Sequence, residues 1–169
     1  MKTPKKIFSF LIAGILALTL VSCLQTPDEN GEGKYMVRIL DSSKISELEK
    51  LIDLERFRPE KVTFRYIFID STGQNDPDYL PGLTQDNSLQ AVLYFDSVTF
   101  SKMMNQVSLM DYKSPNYKKQ TFDFEFLDEQ VSHELRKSDD KTYHVHPDLF
   151  FGSDKGKLWV LDRKILFTN

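Results

Sequence analysis

The chain begins with a short apolar run that stops at its only cysteine. Three lysines lie within the first six residues, residues 7–21 are almost entirely apolar, and Cys23 follows shortly after. A membrane span needs about 20 apolar residues, so this run is too short to cross a bilayer comfortably and has the length of a signal-peptide core. Residues 1–22 are therefore predicted to be a secretory signal peptide.

The end of this run carries a recognisable motif. Leu20-Val21-Ser22-Cys23 resembles the lipobox of bacterial lipoproteins, in which an aliphatic residue and two tolerated residues precede a cysteine. The resemblance covers residues 1–23 only. It implies cleavage before Cys23, acylation of the thiol, and anchoring by two or three acyl chains at about 0.8 kcal/mol per buried CH₂. The alternative is an ordinary thiol in an N-terminal helix.

Cleavage before Cys23 fixes the size and charge of the folded part. The predicted mature chain has 147 residues, which is one domain and enough to bury a core of its own. With its only cysteine acylated, it gains no disulfide. Removing three lysines leaves 19 basic against 25 acidic residues, a formal charge of −6. This acidic balance argues against nucleic acid as a partner and against attraction to anionic lipid head groups.

Residues 23–34 are predicted to be a flexible tether, since they are rich in Pro, Gly and acidic residues and lack apolar periodicity. Asp28 and Glu29 loosely resemble the surface-export signals of some Bacteroidetes lipoproteins, although a solvated linker explains them as well. The expected location is the cell envelope, at the outer membrane of a Gram-negative bacterium or on its outer surface.

Hydrophobic periodicity predicts a single α+β domain over residues 35–169, with one mostly antiparallel sheet and its helices on one face. Over residues 35–127 the expected order is β-α-β-β-α-β, which is ferredoxin-like. The expected strands are 35–40, 61–69, 89–95 and 121–127, with helices over 43–56 and after Asp96 or Ser97. The tail is expected to add a short helix at 128–137 and strands at 143–151, 157–161 and 164–168.

The strand predicted at 121–127 has the most regular pattern. Phe122, Phe124 and Phe126 alternate with Asp123 and Glu125. A period of two places the three rings on a core and the two carboxylates in water.

Three histidines, His133, His144 and His146, fall within fourteen positions. His144-Val145-His146-Pro147-Asp148 resembles half of the H-x-H-x-D metal motif of metallo-β-lactamases, although the next histidine of that motif is missing. On one strand both imidazoles would share a face, so a zinc ion could be held by His144, His146 and Asp148. The alternative is a polar strand at a sheet edge.

Other chemical signals in the sequence are weak. Asp70, Asn75, Asp76 and Asp78 form an oxygen-rich loop of a kind that binds calcium, but these are also ordinary turn residues and the EF-hand pattern is absent. No nucleophile elbow and no glycine-rich phosphate loop occurs in the sequence. The sequence therefore predicts no cofactor and favours a domain without catalytic activity.

Aromatic residues in predicted loops are the remaining candidates for binding. Tyr79 lies in the long loop that follows the second strand, and Tyr112 and Tyr117 flank Pro115. Exposed loop aromatics hold partners in many binding modules, whereas the alternative is packing against the sheet edge.

These observations favour a membrane-anchored envelope lipoprotein whose domain binds a protein, peptide or glycan, or serves a structural role. One alternative is a small metal-binding protein or metal-dependent hydrolase using the histidine motif. A second is a peptidase-inhibitor-like lipoprotein, because the ferredoxin-like order also occurs in subtilisin propeptides.

Overall fold

The computed structural model describes residues 36–70, 79–84, 86–109, 116–138, 146–153 and 155–169. Within these residues, five strands form one sheet: β1 (Met36–Ser42), β2 (Lys61–Asp70), β3 (Ser88–Tyr94), β4 (Lys157–Leu161) and β5 (Lys164–Thr168). The helices are α1 (Ile45–Leu48), α2 (Ser97–Leu109), α3 (Glu129–Lys137) and α4 (Asp148–Phe151), with a 3₁₀ helix at Lys119–Phe122.

The sheet order is β1-β2-β3-β5-β4, and every neighbouring pair is antiparallel. The α+β class with a mostly antiparallel sheet is therefore confirmed. The ferredoxin-like order is not, because the segment expected to supply its fourth strand forms no strand and β1 lies at the edge of the sheet beside β2.

The sheet separates two apolar clusters. The first cluster joins one face of β2, β3, β5 and β4 to Leu48 of α1, Met103 of α2 and the two phenylalanines of α4. The second cluster joins the opposite face of β3, β5 and β4 to Phe122, Phe124 and α3. The prediction that the helices lie on one face is therefore wrong: α3 and the 3₁₀ helix cover the other face.

The predicted strand at 121–127 is also wrong, although its pattern of burial is right. Phe122 and Phe124 are buried, and Asp123 and Glu125 are exposed. The segment forms a 3₁₀ helix and a turn, and its rings pack onto the face of the sheet beside Trp159 instead of pairing along an edge. An alternating pattern indicates which side chains are buried, but it does not determine whether the backbone pairs with a neighbouring strand.

The helix predicted over 43–56 is only one turn long. Leu51, Ile52 and Leu54 all pack into the first cluster, but from the irregular backbone that follows the helix. The Asp53 carboxylate also accepts a hydrogen bond from the Glu55 backbone N–H, a local turn that competes with the helix.

The described part of the predicted strand at 143–151 is helical instead, and residues 143–145 lie outside the described residues. Phe150 and Phe151 are adjacent, yet both pack into the first cluster. Neighbouring side chains on a regular strand point to opposite faces, so a strand would not allow this, whereas the helical turn does. Gly152, at a φ of +58°, ends that turn.

Two other helices begin where the sequence predicts. The Asp96 carboxylate accepts hydrogen bonds from the backbone N–H groups of Val98 (2.8 Å) and Thr99 (2.9 Å), which starts α2. The bonds involving Thr99 lower the pKa of Asp96. The Asp128 carboxylate accepts from the Val131 N–H at 2.8 Å and starts α3. Both are side-chain caps of helix N-termini.

Gly156 allows the close approach of the chain entering β4 to the end of β5. Its φ is +101°, and a β-carbon there would lie 2.8 Å from the Thr168 carbonyl oxygen and 2.9 Å from the Phe167 ring. We predict that Gly156→Ala lowers the free energy of unfolding by about 2 kcal/mol or more, because backbone strain and overpacking add. Urea denaturation measures this change.

Gly82→Ala is the matched control for that measurement. Apart from the glycine and its two chain neighbours, no atom lies within 4 Å of the position that its β-carbon would occupy, so the expected change is within about 0.5 kcal/mol. Equal losses in the two variants would contradict the argument from close approach.

Candidate functional site

The candidate site is an exposed apolar surface on the sheet. In the β1–β2 register, Val37 lies opposite Ile69 and Ile39 lies opposite Ile67, so the four side chains share one face. Val37 is 65% exposed, Ile39 62% and Ile69 41%. We call these four residues the aliphatic face.

The aliphatic face is the part of the outer sheet surface that the second cluster leaves uncovered. That cluster covers β3, β5 and β4, and its described members include no residue of β1 or β2. The boundary is formed by Phe126, whose ring lies 5.8 Å from the Arg65 guanidinium carbon. From this boundary outward, apolar side chains of β1 and β2 meet solvent.

A polar cluster borders the aliphatic face. Arg65 donates two hydrogen bonds to Asp41, at 2.7 and 3.3 Å, and one to Glu125 at 3.2 Å. The hydrogen bond with Asp41 raises the pKa of Arg65, so the guanidinium stays charged. Two carboxylates share one guanidinium, so this end of the surface carries one surplus negative charge.

The inner side of β1 is occupied by interactions within the domain. Arg38 lies 3.3 Å from the buried Asp70 carboxylate and 5.4 Å from the centre of the Phe68 ring. The Ser42 hydroxyl donates to Glu47. Asp70, one of the calcium candidates, is therefore engaged with Arg38, and the other three candidates lie outside the described residues.

β1 is also an outer strand of the sheet, with β2 as its partner on one side. Its seven residues pair with β2 in continuous register, without a bulge, and contain neither Pro nor Lys. Charged side chains are among the features that protect edge strands, and β1 carries two, Arg38 and Asp41. β4, at the opposite edge, is shorter and begins with Lys157.

Two of the three predicted metal ligands, His146 and Asp148, lie within the described residues. His146 Nδ1 contacts Asp148 Oδ1, and Asp148 is largely exposed at the start of α4. His144 lies outside the described residues, and His133 is exposed on α3. Among the residues that the structure describes, no three His, Cys, Asp or Glu side chains are grouped as a metal site requires.

The predicted binding tyrosines that are described pack on the two clusters. The Tyr79 ring lies 6.3 Å from that of Phe68, and the Tyr117 ring lies 6.2 Å from that of Phe122, both edge-on. Each is half-buried. Tyr112 and the predicted lipidation site Cys23 lie outside the described residues.

Sequence reasoning missed the aliphatic face, although a signal for it was present. In β2, Ile67 and Ile69 alternate with Tyr66 and Phe68, so both faces of this strand are apolar toward its end. An antiparallel strand with one solvated face normally shows polar residues on that face. When apolar residues occupy both the odd and the even positions of a strand next to the sheet edge, they indicate that its second face is also covered or binds a partner.

Comparisons with protein-family models, with curated proteins and with solved structures found no match for this chain. Within the described part of the chain, no helix combines the length and the hydropathy needed to cross a membrane.

The histidine motif can be tested directly with metal. A ligand that binds only the folded state raises its stability, and imidazoles must be neutral to ligate. We predict that neither a chelator nor added zinc shifts the melting temperature of residues 24–169 at neutral pH, and that His146→Ala has the same melting response to zinc as the unmodified domain. Bound zinc at one equivalent, lost in His146→Ala, would contradict this prediction.

Proposed function

We propose that this chain is a lipid-anchored protein of the cell envelope whose domain binds another protein through the aliphatic face. The anchor is supported by the signal-like segment and by Leu20-Val21-Ser22-Cys23, which resembles a lipobox. The observation that carries the binding function is the exposure of Val37, Ile39 and Ile69 side by side on one sheet surface.

The chemistry of this surface favours binding over catalysis. The aliphatic face presents branched hydrocarbon side chains. Beside it, Asp41 and Glu125 each form an ion pair with Arg65. Burial of apolar area is the main favourable term in protein association. Contiguous exposed apolar surface on a folded domain is typical of a site for another protein.

A protein partner fits this surface better than a glycan does. A sugar needs hydrogen-bonding groups for its hydroxyls, and the four aliphatic side chains offer none. A partner's apolar side chains would bury the same surface without leaving polar groups unsatisfied.

The anchor is tested by removing the acylation site. We predict that Cys23→Ser releases the chain from membranes or leaves its signal uncut, because each acyl CH₂ contributes about 0.8 kcal/mol to membrane binding. Membrane fractionation and the mass of the intact protein measure this. Retention in membranes with an unchanged mass would contradict lipidation.

The binding surface is tested by photo-crosslinking in cells that express the full chain. A photoreactive residue replaces Ile39 in one variant and Val98 of α2 in the other, and both side chains are 62% exposed in the native domain. We predict a discrete cross-linked protein product from position 39 that position 98 does not give. The product should disappear when Val37→Thr and Ile69→Thr are added, since threonine keeps the branched shape and removes apolar area.

Identical products from positions 39 and 98 would contradict a specific surface. Loss of folding would be detected separately, because substitutions at exposed positions should change the free energy of unfolding by less than about 0.5 kcal/mol.

A further inference from the structure

We propose that the partner covers the aliphatic face with an amphipathic helix that carries a basic residue one turn beyond its apolar side chains. This inference rests on the proposed function and specifies the chemistry of the partner's surface. A helix of this kind binds through apolar side chains that recur every three or four residues along one of its faces.

The chain already covers another part of the same sheet face with a helix. Val131 and Leu135, one helical turn apart on α3, pack into the second cluster over β3, β5 and β4. Glu134, next to Leu135 in the sequence, contacts Lys164 of β5 at 2.7 Å. This helix therefore combines an apolar contact with an ion pair to a strand. A second helix on the aliphatic face would continue the layer over β1 and β2.

The spacing of side chains along β1 matches that of a helix. Val37, Ile39 and Asp41 share one face of the strand, because side chains alternate along it, and all three are exposed. Alternate residues on a strand are about 6.6 Å apart, and residues four apart on a helix are separated by about 6 Å along its axis. Two apolar residues and a third residue at this helical spacing would therefore lie beside Val37, Ile39 and Asp41 in turn.

The third position of such a helix faces a local excess of negative charge. Asp41 is 60% exposed and Glu125 is 91% exposed, and both form ion pairs with the guanidinium of Arg65. A Lys or Arg of the partner at this position would pair with an accessible carboxylate and balance the surplus charge. Charge complementarity of this kind selects a helix with a basic residue at this end and disfavours one with an acidic residue.

A second copy of this chain fits the surface poorly. Two aliphatic faces packed together would either bring two acidic ends into one interface or leave both ends without a cation. The predicted charge of −6 on each mature chain also opposes the association of two copies. The helix is therefore assigned to a different protein.

The test uses two synthetic peptides of about 16 residues, a length at which an Ala-rich helix is marginally stable. The helical-period peptide has leucines at positions i, i+1 and i+4 and a lysine at i+8, which share one stripe of a helix. The strand-period peptide has leucines at i, i+2 and i+4 and the lysine at i+6, which share one face of a strand. Ala and Gln fill the other positions, so the two compositions are identical.

Both peptides are added to the full chain carrying Cys23→Ser. We expect saturable binding of the helical-period peptide with a gain of helical circular dichroism, at least about tenfold tighter than binding of the strand-period peptide. Equal affinities, tighter binding of the strand-period peptide, or no saturable binding would overturn the proposal.

Matched substitutions locate the peptide on the protein. Ile39 on the aliphatic face and Val98 on α2 are both 62% exposed. Ile39→Thr should weaken binding of the helical-period peptide about tenfold, and Val98→Thr should leave it unchanged. Melting curves report whether each variant folds, and Val37→Thr replaces Ile39→Thr if that variant unfolds. Equal effects on and off the aliphatic face would overturn the proposal.

A charge exchange tests the position of the basic residue. Asp41→Lys should weaken binding of the helical-period peptide severalfold, and a peptide with Glu in place of its Lys should recover the affinity. Asp162→Lys is the matched control, because Asp162 is exposed in the turn between β4 and β5, at the opposite side of the sheet from β1. An equal effect of the two protein variants would overturn the assigned position of the cation.

The outcomes separate this inference from the proposed function. A cross-linked protein at position 39 in cells, without preference for the helical-period peptide, would keep a protein partner on the aliphatic face and overturn the helix. Concentration-dependent dimerisation that Ile39→Thr abolishes would place a second copy on the aliphatic face and also overturn the proposal.

Discussion

The pairing of β3 with β5 is the interaction on which the rest of the structure depends. Ala91 lies opposite Phe167 and Leu93 opposite Ile165 on one face, while Val92 lies opposite Leu166 on the other. All six residues are buried, so these two strands supply apolar surface to both clusters at once. The helices and the 3₁₀ segment then have two faces to cover.

The two apolar clusters cover the faces of the sheet unequally, and this explains where the exposed surface lies. The first cluster extends across the inner face as far as β2, and Leu40 of β1 packs against it. The second cluster ends at Phe126 and Arg65. The sheet is thus buried on both faces at β3 and β5 and on one face at β1, where apolar side chains nevertheless remain on the solvated face.

Local signals in the sequence were enough to predict the five observed strands and two helix caps, but they also predicted two strands that do not form and did not predict the layering. The strands β2, β3, β4 and β5 follow from β-branched and aromatic runs, and the caps at Asp96 and Asp128 follow from their position before apolar periodic segments. The 121–127 segment shows the limit of such reasoning. Its alternation correctly predicted burial of Phe122 and Phe124, but whether rings pack on a face or pair along an edge depends on distant residues such as Trp159.

Predicting the candidate site would have required the same kind of non-local information. The strand predicted at 35–40 was correct in type, yet its place at the edge of the sheet follows from how β5 inserts beside β3, which no local pattern encodes. The backbone of the described part of the His144–Asp148 motif departs from the predicted strand for a related reason. His146 and Asp148 stand at the start of a helical turn that exists because Phe150 and Phe151 both enter the first cluster.

The energetic argument for the proposed protein partner follows from the contiguity of the aliphatic face. An exposed aliphatic side chain alone is common on protein surfaces and needs no explanation. Val37 and Ile39 lie on an outer strand of the sheet, beside Ile69 on the neighbouring strand, and together they form contiguous apolar surface. Exposed surface of this kind is an aggregation liability for a free domain, and burial against the proposed protein partner would remove it.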